Sequence, residues 1–131
     1  MSPMATAIGI ETAIPLVQGL LGLLMVIAGG VKFLGLDFHT TLFDRFKYPR
    51  WFLYVTGGAE VLGGLGLLAG LVFEPIFGIL GGSVIITTMI GAILTRLVRV
   101  DDPLLSSVPA TILLIAGLFV TSFLLLSFGG V

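Results

Sequence analysis

Four long apolar stretches follow one another along the chain, separated by short segments that carry its charges, prolines and turn residues. They cover about residues 13–36, 51–73, 75–98 and 104–128. Each holds about 23–25 residues, or roughly 34–37 Å of helix at ~1.5 Å per residue, which is enough to cross the ~30 Å hydrocarbon core of a membrane. None shows the period of two that a β-barrel strand requires. The pattern predicts an all-α integral membrane four-helix bundle, with residues 1–131 as a single transmembrane domain.

The connecting segments predict how these helices are joined. Only Glu74 and Pro75 separate the second stretch from the third, so these helices should form a tight antiparallel pair. The first connection, residues 37–50, mixes aromatic with charged residues, which is typical of a short amphipathic segment at the membrane surface. We expect His39, in this connection, to be a solvated residue and not a ligand. Residues 101–103 (DDP) are typical of a helix start and should begin the fourth helix.

Composition excludes several classes of protein. Hydrophobic residues make up 57% of the chain and charged residues 10%, against about 25% charged in a soluble domain. The net charge of −1 offers no polycationic surface for nucleic acid. The chain has no cysteine and one histidine, too few for disulfides, iron–sulfur clusters, a zinc site or a haem with two histidine ligands. We therefore expect no catalytic residue and no metal, and any redox cofactor should be a diffusible quinone or belong to a partner.

The positive charges predict the orientation in the membrane. In a four-span topology all six lie at the end that carries the first and third connections: Lys32, Arg45, Lys47, Arg50, Arg96 and Arg99. The positive-inside rule then places both connections in the cytoplasm and both termini on the non-cytoplasmic side of the cell membrane.

Small residues are abundant inside the predicted helices. The chain has 19 glycines, about twice the average usage. They include Gly66-x-x-x-Gly70 and Gly78-x-x-x-Gly82, a spacing that lets helix backbones approach closely in lipid. Such motifs favour a compact bundle within one chain, and the alternative is a homo-oligomer contact on one face.

Polar residues recur on one face of each of the first three helices. The face of the first helix carries Gln18, Gly22, Met25, Gly29 and Lys32. The face of the second carries Thr56, Glu60, Gly63 and Leu67. The face of the third carries Ser83, Thr87, Gly91 and Thr95, with Arg96 next to Thr95. We expect all three faces to turn inward, because an ionisable group that faces lipid is costly.

Glu60 and Lys32 enter the bilayer from the same side and could meet, and Arg96 could compete for the carboxylate. One hypothesis is an interior salt bridge that fixes helix register. A second is a polar site, formed by Lys32, Glu60, Gln18, Thr56, Thr87 and Arg96, that holds a ligand head group or relays protons. A third is a Glu60 that stays protonated, because burial disfavours the charged form.

Three segments resemble the DoxX-like family of small membrane proteins. Residues 28–34 (AGGVKFL) are similar to the family's signature at the end of the first helix, and residues 58–71 (GAEVLGGLGLLAGL) to its second-helix motif. Residues 91–96 (GAILTR), continuing to Pro103, resemble the end of its third helix. The resemblance implies four transmembrane helices and identifies Lys32 and Glu60 with the family's characteristic Lys and Glu. Relatives include a membrane subunit of a thiosulfate–quinone oxidoreductase, proteins of oxidative-stress complexes and helpers of membrane-protein assembly.

Three functions follow as hypotheses. The first is a non-catalytic accessory subunit or assembly partner in a membrane redox or stress-response system, bound to another membrane protein or to itself. The second is a quinone-binding component of a membrane oxidoreductase. The third, ranked last, is a small transporter or channel, which would need an oligomer to enclose an aqueous path.

Overall fold

The computed structural model describes residues 3–100 and 104–128, and most of this length is helical. The helices are α1 (Pro3–Lys32), α2 (Asp37–Arg45), α3 (Arg50–Val72), α4 (Pro75–Leu94) and α5 (Val108–Phe128). A π-helical turn, Thr95–Arg99, prolongs α4, and a 3-10 turn, Leu104–Ser107, precedes α5. Among the described residues, four segments are long and apolar enough to cross a membrane: Thr12–Lys32, Arg50–Val72, Pro75–Arg99 and Leu105–Leu126. The predicted all-α architecture with four spans is confirmed.

The connections differ from the prediction at one helix end. The first span was expected to reach residue 36, but α1 ends at Lys32. Residues 33–35 form a turn in which Gly35 has a φ of 63°, a backbone conformation that glycine adopts without strain. The predicted amphipathic segment contains a short helix, α2, and its position at the membrane surface stays a prediction. Residues 101–103, the predicted start of the fourth helix, lie outside the described part of the chain.

Close backbone contacts between glycines hold α3 to α4. A Cβ added to Gly81 would lie 2.5 Å from the Gly63 carbonyl oxygen, and one added to Gly70 would lie 2.7 Å from the Gly78 nitrogen. The repeated glycines therefore pack against each other within one chain, as the compact-bundle prediction requires. Helix α1 packs on α3, α5 packs on α4, and α1 also contacts α5.

The part of the chain that the structure describes forms two buried cores. One lies between the spanning helices and contains Leu21, Met25, Leu67, Ile85, Met89 and Val120. The other lies at the end of the bundle that carries α2, where Phe43 and Phe46 pack against Leu53. The second core fixes α2 and the residues after it to the start of α3.

The polar face of α4 is less buried than predicted: its inward orientation is wrong for Ser83, while Thr87 and Gly91 lie at an open gap between α3 and α4. Ser83, Thr87 and Gly91 are exposed, and Thr95 is buried. The glycines that contact α3 decide which face of α4 turns inward. The Ser83 hydroxyl donates to the Ile79 carbonyl at 2.7 Å and the Thr87 hydroxyl to the Ser83 carbonyl at 2.9 Å. Because these hydroxyls are satisfied by their own helix, exposing them to lipid costs little.

Candidate functional site

An ion pair joins α1 to α3 near the end of the bundle that carries α2. Lys32 Nζ lies 3.0 Å from Glu60 Oε2, and the two side chains are 15% and 6% exposed. Lys32 is the last residue of α1 and reaches back into the bundle, where Nζ also donates to the Ala28 carbonyl oxygen at 3.4 Å. The two charges that were expected to meet are therefore in contact.

A glycine contact one turn away brings this pair together. A Cβ on Gly29 would lie 2.5 Å from the Gly57 carbonyl oxygen, and a Cβ on Gly57 would lie 2.8 Å from the Gly29 carbonyl oxygen. Gly29 precedes Lys32 by three residues, and Gly57 precedes Glu60 by three. Residues three apart share a helix face, so the contact that joins the backbones also sets the two charges opposite each other.

A cavity of about 380 Å³ lies beside the ion pair, between α3 and α4. Its walls are Lys32, the α3 residues Phe52, Val55, Thr56, Ala59 and Glu60, and the residues Thr87, Thr88, Met89, Gly91, Ala92, Thr95 and Arg96 of α4 and its extension. We call it the α3–α4 cavity. Val55 and Thr87 line it and are exposed, so it opens sideways between the two helices. The glycine contacts between the two helices begin at Gly63 and Gly81 and continue away from the end that carries α2. Nearer to α2 the helices are not in glycine contact, which leaves room for the cavity.

Aromatic side chains close the cavity toward the membrane surface. They come from residues 43–48, the end of α2 and the turn after it, which we call the aromatic strap. Phe43, Phe46 and Tyr48 of the strap line the cavity together with Phe52. The Tyr48 and Phe52 ring centroids are 4.7 Å apart, and the Tyr48 hydroxyl lies 2.9 Å from the Thr95 hydroxyl. The cavity therefore has flat aromatic walls at one end and a charged pair at the other.

Comparison with known proteins places the chain in a family. A sequence profile of the DoxX-like family matches residues 16–120. The chain belongs to the DoxX-like family. It is also 29% identical over 100 residues to the uncharacterized protein YdgD of Bacillus subtilis (strain 168), and this match covers 76% of the chain and 87% of that protein. No solved structure matches the chain. The resemblance inferred from the motifs around Lys32 and Glu60 is confirmed.

Five of the six residues predicted to form a site in this DoxX-like protein line the α3–α4 cavity: Lys32, Glu60, Thr56, Thr87 and Arg96. The Arg96 guanidinium carbon lies 5.3 Å from the centre of the Phe46 ring, within the range of a cation–π interaction. Thr87 stands at the lateral opening and Thr56 on the inner wall.

Gln18, the sixth predicted residue, lies elsewhere. It is fourteen residues before Lys32 on α1, roughly 21 Å away at ~1.5 Å per residue. Its side chain is buried, and Nε2 donates to the Leu67 carbonyl oxygen at 2.8 Å. The same nitrogen sits in the space left by Gly70 and Gly78. Gln18 thus joins α1 to α3 and α4 in the other half of the DoxX-like bundle.

The strap residues were missed as part of the site. Their sequence signal was the density of aromatics in the first connection, and it was interpreted only as a surface segment. No periodicity links Phe43, Phe46 or Tyr48 to Glu60, because the strap reaches the cavity by folding back over α3 and not by lying on a shared helix face. The prediction that Thr95 turns inward is correct, but its hydrogen-bond partner Tyr48 was not predicted.

His39 lies on α2 and is half-buried, so it is less solvated than we expected. Its Nδ1 is enclosed and has no hydrogen-bond partner among the described residues. Burial and, less strongly, the positive charge of Lys32 lower the pKa of His39. The unfolded chain then binds the proton more tightly than the folded one. The free energy of unfolding should therefore decrease as the pH is lowered below about 6.5, the usual pKa of histidine.

We expect a His39→Gln variant to lose this pH dependence. Between about pH 7.5 and about pH 5.5, across the usual pKa of histidine, the Tm of the native protein in detergent should fall further than that of the variant. Equal falls in the two proteins would contradict a destabilising protonation of His39.

Proposed function

We propose that this protein binds a lipophilic ligand of the quinone class in the α3–α4 cavity and serves as an accessory, non-catalytic subunit of a membrane redox or stress-response system. The observation that carries the proposal is the cavity itself, which combines a membrane-side opening, aromatic walls and a buried charged pair. Its volume of about 380 Å³ lies at the lower end of the range of small-molecule sites.

The groups around the cavity suit a quinone ring. A quinone presents two carbonyl oxygens, which accept hydrogen bonds, on a flat ring that stacks on aromatic faces. Lys32 Nζ has three N–H donors, of which Glu60 and Ala28 take two. The third can bind a carbonyl oxygen at the inner end, while the strap and Phe52 flank the ring. Electrons for the quinone would have to come from a partner, which is why we assign an accessory role.

The single tryptophan provides a test of ligand binding. Trp51 is next to Phe52, with ring centroids 5.8 Å apart, and no other tryptophan contributes fluorescence. Titration of the purified protein with a short-chain quinone should quench this fluorescence with saturation. Filling the cavity with Ala92→Phe should weaken the apparent affinity by at least about ten-fold, equivalent to ~1.4 kcal/mol.

Ser83→Phe is the matched control, since it adds the same ring to an exposed position of α4 that does not line the cavity. It should leave the affinity unchanged. Linear quenching without saturation, or equal affinities for the Ala92 and Ser83 variants, would contradict ligand binding in the cavity.

A second candidate function is assembly with another membrane protein without a ligand. It is favoured by the exposed face of α4, where Ser83, together with Thr87 and Gly91 at the lateral opening of the cavity, offers a strip of small residues to which another helix could pack closely. The same two variants separate the candidates. Under this second function Ser83→Phe removes a co-purifying partner and Ala92→Phe does not.

The orientation in the membrane is part of the proposal. We place the end with the ion pair, the strap and the cationic residues at the cytoplasmic face of the cell membrane, and both termini on the opposite side. A reporter protein that functions only outside the cytoplasm should be active when it is fused to the C-terminus. Activity of a cytoplasm-dependent reporter at the same position would contradict the orientation.

A further inference from the structure

One arginine holds the aromatic strap to the end of α4. Arg99 Nε donates to the Phe46 carbonyl oxygen at 2.7 Å, and Arg99 Nη2 donates to the Lys47 carbonyl oxygen at 3.0 Å. Its guanidinium carbon also lies 4.4 Å from the centre of the Tyr48 ring. A single side chain therefore contacts three successive residues of the strap, which are about fifty positions away in sequence.

The strap is under local backbone strain where Arg99 holds it. Lys47 has a φ of 62° and is the only residue other than glycine with a positive φ in the described part of the chain. A residue with a Cβ stays in this conformation only where its surroundings hold it there. The contacts that hold Lys47 come from Arg99 on one side and from the Asp44 carbonyl, which accepts from the Lys47 nitrogen at 3.0 Å, on the other.

The strap is fastened to the extension of α4 at the rim of the cavity, and Phe43 and Phe46 also pack against Leu53 at the start of α3. Besides those of Arg99, its contacts with the extension of α4 include the Tyr48–Thr95 hydroxyl pair and the stacking of Arg96 on Phe46. All three come from the π-helical turn Thr95–Arg99, a type of turn that is frequent at functional sites. Release of these contacts would leave Phe46 and Tyr48 held by their apolar packing against Leu53 and Phe52. The two rings could then leave the surface end of the cavity while α3 and α4 kept their glycine contacts.

We propose that the aromatic strap, residues 43–48, is a gate on the α3–α4 cavity and that Arg99 is the latch that keeps it shut. Opening exposes the inner wall at Thr56 and the Lys32–Glu60 pair to the membrane surface. The inference rests on the proposed function, because a gate has a role only if the cavity holds a ligand. It assigns the cavity a second entrance besides the lateral opening at Thr87.

Thiol labelling of the ligand-free protein tests the gate. The chain has no cysteine, so Thr56→Cys places a single thiol on the inner wall and Thr87→Cys places one at the lateral opening. With a water-soluble maleimide, Arg99→Gln should speed labelling at residue 56 by about ten-fold, as a ten-fold larger open population requires. Labelling at residue 87 should not change. Arg50→Gln, which removes an exposed cation from the same end of the bundle, is the matched control and should change neither rate.

Equal labelling at residue 56 with and without Arg99 would overturn the gate, and so would an equal acceleration at residues 56 and 87, which would indicate general loosening. If the Arg99 variant does not fold, Tyr48→Phe replaces it, with Tyr54→Phe as control. Tyr48→Phe should speed labelling at residue 56 and Tyr54→Phe should not, and equal rates would again overturn the proposal. Because no quinone is present, the result is independent of the Trp51 titration, which tests ligand binding alone.

Discussion

Lys32→Met should lower the free energy of unfolding in detergent by about 3 kcal/mol, the cost of removing one partner from a buried ion pair. The reason is the difference in burial between the partners. Glu60 is 6% exposed and lies in the middle of α3, so loss of the ammonium group leaves a buried carboxylate without its ionic partner. Methionine keeps the length of the lysine stem, so the variant changes charge and hydrogen bonding more than packing.

Glu60→Gln should cost less, about 1–2 kcal/mol, because the lysine left behind sits at the end of α1 and can extend toward the interface. In the double variant Lys32→Met/Glu60→Gln no charge remains buried, so its loss should be smaller than the sum of the two single losses. Arg50→Met, at an exposed cation, controls for the loss of positive charge. A greater loss for Glu60→Gln than for Lys32→Met, or additive losses, would contradict this account of the pair.

The second large effect is expected at Gly29. Gly29→Ala should destabilise the protein by about 2–3 kcal/mol, as overpacking does in a close-packed interior. The added Cβ would lie 2.5 Å from the Gly57 carbonyl oxygen and 2.8 Å from the Val61 nitrogen. Both are backbone atoms, so α1 and α3 must move apart to admit the methyl group. That movement also stretches the Lys32–Glu60 pair one turn away.

The neighbouring glycine provides the control. A Cβ on Gly30 would meet no atom within 4 Å, so Gly30→Ala should leave stability unchanged or raise it by up to about 1 kcal/mol through the better helix propensity of alanine. Thermal unfolding of the two variants in the same detergent measures the difference. Similar thermal unfolding midpoints for Gly29→Ala and Gly30→Ala would show that the α1–α3 contact does not determine stability.

The four spans could be predicted because they depend on properties that the sequence carries directly. Length and hydropathy define a helix that crosses lipid, and the Gly66 and Gly78 motifs indicate where backbones meet. The residue at which α1 ends was harder to predict, because residues 33–36 are as apolar as the helix before them. Only the positive φ of Gly35 distinguishes the turn, and a glycine within an apolar run does not reveal its φ.

The cavity could not be predicted from the sequence. It exists because α3 and α4 touch at Gly63 and Gly81 but not near Thr56 and Ala92, a difference that depends on how two helices cross. Its aromatic end depends on a turn held by Arg99, which is separated from it by about fifty residues. The exposed hydroxyls of α4 mark another limit: Ser83 and Thr87 satisfy their own hydrogen bonds, so their polarity carries no information about which face is buried.

Mass spectrometry of the intact protein, extracted gently from its own membranes and with its bound small molecules released and identified, tests whether the α3–α4 cavity holds a quinone. We expect one quinone-class molecule bound to the native chain and to Ser83→Phe, and none bound to Ala92→Phe. A native chain without any bound quinone, or equal amounts bound to the two phenylalanine variants, would contradict it.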